Sequence, residues 1–308
     1  MILPPALRPG DRVALLAPAG PVDETKIRTA LERCRRLGLE PVPGRAIRER
    51  TGYLAGPDTA RAEDLRAAVS GDVAAIWAIR GGYGALRTLR HVDLRPLTAR
   101  PRAFIGFSDN TAIHLALHAL GVTSFHGPHA GFEHFTATTE ASFRAVLTRG
   151  EPAGALALPP GSAPVTLTPG QAEGPLIGGN LALLAATCGT RLQADTRGAI
   201  LFLEDVGEPL YRMDRMLTQL RLAGLLDGVA GVALGEFTAM PNSVTPGEVE
   251  DERCLDDVLR EILGDLGVPV VRGLPFGHGV ENWTLPIGIR ARLDADTGTL
   301  ELLEPAVS

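Results

Sequence analysis

Most of the usual signs of a cofactor, nucleic acid or membrane partner are missing from this chain. Its 308 residues contain three cysteines, Cys34, Cys188 and Cys254, too far apart for a paired metal spacing. An odd, scattered set excludes a disulfide framework and reads as buried, reduced thiols. Positive charge is in deficit: 30 Lys and Arg against 36 Asp and Glu leave a formal net charge of -6. That balance excludes a basic face of the kind that grips a phosphate backbone, so no nucleic-acid partner is expected. No apolar run approaches the roughly 20 residues of a membrane span. The opening Met1-Ile-Leu-Pro-Pro-Ala-Leu-Arg-Pro-Gly10 lacks a positive stretch followed by a continuous apolar one, so a cytoplasmic location is expected.

Metal and nucleotide motifs are also lacking. His114 and His118 are four apart and share a helix face, but Leu115 follows His114 where a zinc helix would carry glutamate, so both read as packing histidines. His126, His129 and His134 lie around a glycine-containing turn and read as bordering a pocket. Neither Gly-x-Gly-x-x-Gly nor the Lys-Ser/Thr of a phosphate loop occurs. No metal and no cofactor is expected.

What is present is a serine in an informative place. Arg102-Ala-Phe-Ile-Gly-Phe107 reads as a buried strand and ends at Ser108, and Asn110 to Leu120 has helical apolar spacing. A serine on a sharp strand-to-helix turn has its hydroxyl pushed clear of the sheet, the geometry of a nucleophile elbow. The motif is imperfect, because Asn110 stands where Gly-x-Ser-x-Gly has its second glycine. A plain helix N-cap is the competing reading.

Two further strand ends favour the nucleophile. Gly198-Ala-Ile-Leu-Phe-Leu-Glu-Asp-Val206 delivers Glu204 at the end of an apolar strand, and Pro269 to Gly279 presents His278 between two glycines. The order Ser, Glu, His fits a chain in which histidine takes the serine proton and glutamate holds the imidazole. Val73-Ala-Ala-Ile-Trp-Ala-Ile79 then leads into Arg80-Gly-Gly-Tyr-Gly84. Glycines after a strand can cradle phosphate or leave N–H groups free for an oxyanion. Beside a nucleophile the second reading fits, with Gly82 and Asp109 as backbone donors.

The blocks Leu16-Ala-Pro-Ala-Gly-Pro21, Arg80-Gly-Gly-Tyr-Gly84, Gly106-Phe-Ser-Asp-Asn-Thr111, Gly178-Gly-Asn-Leu181, Leu203-Glu-Asp-Val-Gly-Glu-Pro209, Tyr211-Arg-Met-Asp-Arg-Met-Leu217 and Pro275-Phe-Gly-His-Gly279 occur in that order. Together they resemble the LD-carboxypeptidases, serine peptidases that include the microcin C immunity peptidases, over nearly the whole chain. The resemblance implies a Ser108–His278–Glu204 triad, oxyanion donors at Gly82 and Asp109, a murein tetrapeptide substrate and a homodimer. Phe107 departs from the family pattern, which usually has tyrosine before the serine. Arg80 is a candidate partner for a substrate carboxylate, and Trp283, just after the His278 turn, is a candidate substrate contact.

Strand and helix patterns alternate from Arg12 to about Leu120, which predicts an α/β fold with a parallel, Rossmann-like sheet in an N-terminal domain, residues 1–150. Residues 151–175, rich in proline, glycine and alanine, read as a linker. A smaller C-terminal α/β domain rich in strands, 176–308, then carries Glu204 and His278 and closes on a hairpin pairing 287–293 with 299–303. Ser108 in the first domain and the other two in the second place the site in the cleft between them. Two alternatives to a murein peptidase remain open: an immunity peptidase acting on aminoacyl-nucleotides, and a non-catalytic binder of wall fragments.

Overall fold

The computed structural model describes residues 1–240 and 253–308. Fourteen strands among these residues form two sheets. The first is built from β1 (Arg12–Leu16), β2 (Glu40–Pro43), β3 (Ala75–Ala78), β4 (Ala103–Gly106) and β5 (Phe125–His126). The second takes β6 (Gly154–Ala155), β7 (Val165–Thr168), β8 (Gln171–Asn180), β9 (Ile200–Val206), β10 (Gly231–Thr238) and β11 (Val270–Gly277). β12 (Leu285–Pro286) returns to the first sheet, while β13 (Arg290–Asp294) and β14 (Thr299–Leu302) belong to the second.

The first sheet has the order β12-β5-β4-β3-β1-β2, parallel throughout except for β12. β3 and β4 are buried along their whole length, as continuous apolar runs in a sheet covered on both faces must be. Its helices are α1 (Glu24–Arg36), α2 (Asp58–Ser70), the short α3 (Ala85–Leu89) and α4 (Pro96–Ala99), α5 (Thr111–Ala119) and α6 (Ala137–Leu147). Asp23 caps α1 by accepting the Lys26 N–H at 2.8 Å, and Arg33, Arg35 and Arg36 in its last turn complement the helix dipole.

The second sheet has the order β6-β14-β13-β8-β9-β10-β11-β7, with β8 to β11 parallel. α7 (Leu181–Thr187), α8 (Leu210–Leu222) and α9 (Leu255–Leu263) pack on it. The reading of 151–175 as a linker is corrected here. β6, β7 and the start of β8 all fall within it and pair with β14, β11 and β13. Proline and glycine punctuate this stretch without preventing short edge strands, the places where a sheet tolerates them. One apolar core joins the two sheets, running from Val13 and Trp77 through Phe202 and Phe276 to Trp283.

Cys34 is buried as expected, but Cys188 is half-buried and Cys254 is exposed at the N-cap of α9. Helical spacing placed these cysteines near helices; their position at a helix end decided their exposure.

Close approach of β8 to its neighbours depends on Gly178 and Gly179. A Cβ at Gly178 would lie 1.9 Å from the Phe202 carbonyl oxygen, and one at Gly179 2.6 Å from Thr111 Oγ1. Both sit at positive φ. Gly178→Ala is therefore expected to lower the thermal midpoint by at least about 5 °C or prevent folding. Gly264→Ala, where φ is -70° and the space is open, is expected to shift it by no more than about 2 °C. Thermal melts of the two variants check this.

Candidate active site

Ser108 is one of two non-glycine residues with positive φ among the described residues, at +61°. The left-handed region costs a residue with a Cβ about 1–2 kcal/mol, so its neighbours must hold it there. It follows Gly106 at the end of β4 and opens a single 3-10 turn, Ser108–Asn110, leading into α5. Asn110, the departure from the usual glycine, is part of the brace. Its Nδ2 donates to the Phe107 carbonyl at 3.2 Å and lies 2.9 Å from His129 Nε2. The Phe107 N–H also points to His129 Nε2, at 3.3 Å. His129 Nε2 also lies 3.0 Å from the Phe107 carbonyl oxygen, so this one ring nitrogen is shared between the Phe107 peptide and Asn110 and its donor or acceptor role follows the tautomer. Burial pushes the His129 pKa down to about 3, so the ring is neutral. It stacks on Phe107 at 4.2 Å, and Phe107 lies 4.8 Å from the His278 ring.

His278 follows β11 and meets Ser108 from across the cleft. Its Nε2 is 3.1 Å from Ser108 Oγ and its Nδ1 2.6 Å from Glu204 Oε2. These are hydrogen-bond distances for a nucleophile, a base and the group that orients the base. Glu204, at the end of β9, has a fully buried side chain, whereas the His278 side chain is 16% exposed. Gly277 has φ +102°, and a Cβ there would be 2.7 Å from Glu204 Oε2. The glycine before the histidine is thus what admits the carboxylate. Glu204 Oε1 has no hydrogen-bond partner among the described residues, so the bond to His278 is the main compensation for burying the charge.

The glycine loop reaches the elbow directly. A Cβ on Gly81 would lie 2.9 Å from Ser108 Cβ and 3.1 Å from its Oγ. Asp109 turns its side chain back toward this loop and accepts the Ala85 N–H at 2.7 Å. Gly82 is exposed at φ +97°. Arg80, also exposed, donates from Nη1 to the Pro21 carbonyl at 2.7 Å and forms no ion pair among the described residues.

Sequence reasoning placed two features wrongly. Trp283 is fully buried and donates from Nε1 to the Ala157 carbonyl at 2.9 Å. Proximity to His278 in sequence did not make it a cleft residue, because the chain turns inward toward β12 and buries the ring. His126 and His129 do not border an open pocket: both are buried, and His129 supports the elbow from behind. His114 is a packing histidine as expected, bonded to Ser124 Oγ and the Gly106 carbonyl at 2.9 and 2.8 Å. The roles of His129 and Asn110 had no separate sequence signal, since both depend on contacts made in three dimensions.

Burial raises the Asp109 carboxyl from its ordinary 3.8 to about 6, against the pull of the Ala85 and Gly84 N–H groups. The folded state therefore binds this proton more tightly than the unfolded chain does. Its stabilisation is fully present below pH about 4 and is lost as the pH rises through about 6. Asp109→Asn keeps an oxygen for the Ala85 N–H but carries no such proton. It should lose less stability than the parent chain between pH 4.5 and 7.5, as read by urea unfolding at both values; equal losses would contradict the assignment.

Family models describe this chain in two parts: an LD-carboxypeptidase N-terminal domain over residues 13–127 and an LD-carboxypeptidase C-terminal domain over 173–293. A Bacillus subtilis protein named "Probable murein peptide carboxypeptidase" is 37% identical, over 99% of this chain and 95% of its own. The murein tetrapeptide carboxypeptidase of Pseudomonas aeruginosa is 36% identical, over 92% and 94%. The solved structure of the microcin C7 self-immunity protein MccF in complex with aspartyl sulfamoyl adenosine matches with a TM-score of 0.89 at 25% identity, covering both chains fully. With both domain models and relatives above 30% identity spanning nearly its full length, the chain belongs to the LD-carboxypeptidase family.

Proposed function

We propose that this protein is a serine carboxypeptidase that hydrolyses an L,D peptide bond and releases a terminal D-amino acid, D-alanine, from a murein tetrapeptide. The observation that carries this reading is the hydrogen-bonded chain from Ser108 through His278 to Glu204, at 3.1 and 2.6 Å. In that chain His278 Nε2 takes the Ser108 proton as Oγ attacks the scissile carbonyl. Glu204 holds the proton on Nδ1 and stabilises the imidazolium that forms. The oxyanion is received by the backbone N–H groups of Gly82 and Asp109. His278 then returns its proton to the leaving amine, and water hydrolyses the acyl-enzyme by the same steps in reverse order. Arg80 at the rim of the glycine loop pairs with the free carboxylate of the terminal residue.

The choice of substrate rests on the named activities of the relatives. With that substrate, we read the reaction as part of wall-peptide recycling in the cytoplasm, and a homodimer is carried over from the family resemblance. The immunity-type alternative, an aminoacyl-nucleotide substrate, is favoured by the fold match to MccF. Trp77 and Trp283 are both fully buried and offer no face to a nucleobase, whereas Tyr83 in the glycine loop is exposed.

Mass spectrometry of a tetrapeptide ending in D-alanine, incubated with the protein and with Ser108→Ala, tests the reading. D-alanine release should fall at least about a thousandfold in Ser108→Ala, and about a hundredfold or more in Glu204→Gln, which supports the wrong histidine tautomer. A tetrapeptide left intact by the unaltered protein would move the substrate to an aminoacyl-nucleotide. Equal release by Ser108→Ala would remove the serine mechanism altogether.

A further inference from the structure

The elbow and the opposite wall of the site are joined twice, once through the catalytic candidates and once behind them. The first crossing is the contact of His278 Nε2 with Ser108 Oγ at 3.1 Å. The second runs through Thr111, the first residue of α5, which is fully buried. Its backbone N–H donates to the Ser108 carbonyl and so closes the turn that the serine opens. Its Oγ1 accepts the Asn180 N–H at 3.0 Å, at the end of β8. The mechanism uses neither Thr111 nor Asn180.

From Asn180 the connection continues to the strand that carries the glutamate. Asn180 stands opposite Glu204 in the pairing of β8 with β9, and its Nδ2 donates to Asp205 Oδ1 at 2.9 Å. Successive residues of a strand face opposite ways, so Glu204 turns to His278 while Asp205 turns to α7. There Asp205 Oδ2 accepts the Ala182 N–H at 2.9 Å, and its Oδ1 also accepts the Val206 N–H at 2.8 Å. Three N–H donors thus hold this buried carboxylate in one orientation. Ser108, Thr111, Asn180, Asp205, Glu204 and His278 therefore form a closed ring. Every link in it is a hydrogen bond except the peptide bond between residues 204 and 205. Space at the second crossing is tight, since a Cβ on Gly179 would lie 2.6 Å from Thr111 Oγ1 and 2.7 Å from its Cγ2. β8 rests directly on this threonine, and in a close-packed interior a shift of one passes to the other.

We propose that Thr111 is a positioning residue: its hydroxyl, by holding the Asn180 peptide, sets the separation of Ser108 from the Glu204–His278 pair. This rests on the serine-peptidase reading above. The contact between His278 and Ser108 is a poor spacer, because it is broken and remade as the proton passes between Oγ and Nε2. A second crossing that takes no part in proton transfer keeps nucleophile and base at reacting distance throughout the cycle. Without the hydroxyl, the buried Asn180 N–H loses its acceptor, and the end of β8 moves off the elbow to find another.

Two substitutions separate the hydroxyl of Thr111 from its methyl. Thr111→Val keeps the shape and loses the acceptor; Thr111→Ser keeps the acceptor and loses the methyl. Both should lower the thermal midpoint by about 3–8 °C, one through an unpaired N–H and the other through a small cavity. Only Thr111→Val should slow turnover of the tetrapeptide ending in D-alanine. Its kcat should fall about 10- to 100-fold with KM within about threefold, the effect of misplacing reacting groups by about 1 Å or less. Thr111→Ser should keep kcat within about threefold. Similar falls in kcat for both variants, in step with stability, overturn the proposal. Crystal structures of the unaltered protein and the two variants give a readout that needs no substrate. The separation of Ser108 Oγ from His278 Nε2 should lengthen by about 0.5 Å or more in Thr111→Val alone. An unchanged separation there overturns the proposal whatever the turnover. If the unaltered protein leaves the tetrapeptide intact but the separation changes in this way, the positioning role holds and the peptidase reading fails. Should Thr111→Val not fold, Thr111→Ala and Thr111→Ser give the same comparison, since they differ only in the hydroxyl.

Discussion

A single backbone conformation organises the first-sheet side of the candidate site: Ser108 held at φ +61°. A residue with a Cβ stays in that region only when its surroundings over-determine it. Here the restraint comes from several directions. Gly106 lets Asn110 approach, since a Cβ there would be 3.1 Å from Asn110 Nδ2 and 3.2 Å from Ala78 Cβ. Gly81 lies against the serine itself, and Asp109 fastens the glycine loop to the elbow through Ala85. Behind them His129 Nε2 lies within hydrogen-bond distance of the Phe107 peptide, the residue before the serine, and of Asn110 Nδ2 beyond it. Asparagine in place of the usual second glycine is therefore no defect of the motif, because its side chain replaces conformational freedom with hydrogen bonds.

The opposite wall is built from strand ends. β9, β10 and β11 are parallel neighbours, so their carboxyl ends bring Glu204, Glu236 and His278 to one edge of the second sheet. Parallel sheets place functional groups at such edges because the crossovers between strands leave loops there that need not pack. One of the two carboxylates is engaged by His278 and the other is unpaired among the described residues. That asymmetry distinguishes two otherwise similar groups at one sheet edge, one 2.6 Å from His278 Nδ1 and the other without a partner among the described residues. The shared apolar core, with Phe202 and Phe276 packed against residues of the first sheet, keeps the two walls in register. A hydrogen bond of 3.1 Å between Ser108 and His278 requires that rigidity.

Much of the arrangement was legible in the sequence, for identifiable reasons. Buried parallel strands are continuous apolar runs, so β3, β4 and β9 declared themselves, and with them the positions of Ser108 and Glu204 at or near their ends. Glycines on both sides of His278 marked a turn that presents a ring. Residues 151–175 misled because their composition matches a linker, while edge strands of two to four residues need little β-propensity once a sheet is there to receive them. Trp283 misled because nearness along the chain is not nearness in space.

The sequence by itself determined the alternation of strands and helices in the first part of the chain, the strand-end position of the serine, glutamate and histidine, and a formal net charge of -6. These follow from local periodicity and composition, which any window of the chain expresses. Tertiary structure alone decided that Ser108 and His278, 170 positions apart, meet at hydrogen-bond distance. It also decided that His129 supports the elbow, that Trp283 is core, and that Glu236 stands unpaired among the described residues beside His278. Each of these depends on which groups burial brings together and which it leaves without a partner, and no local pattern carries that information.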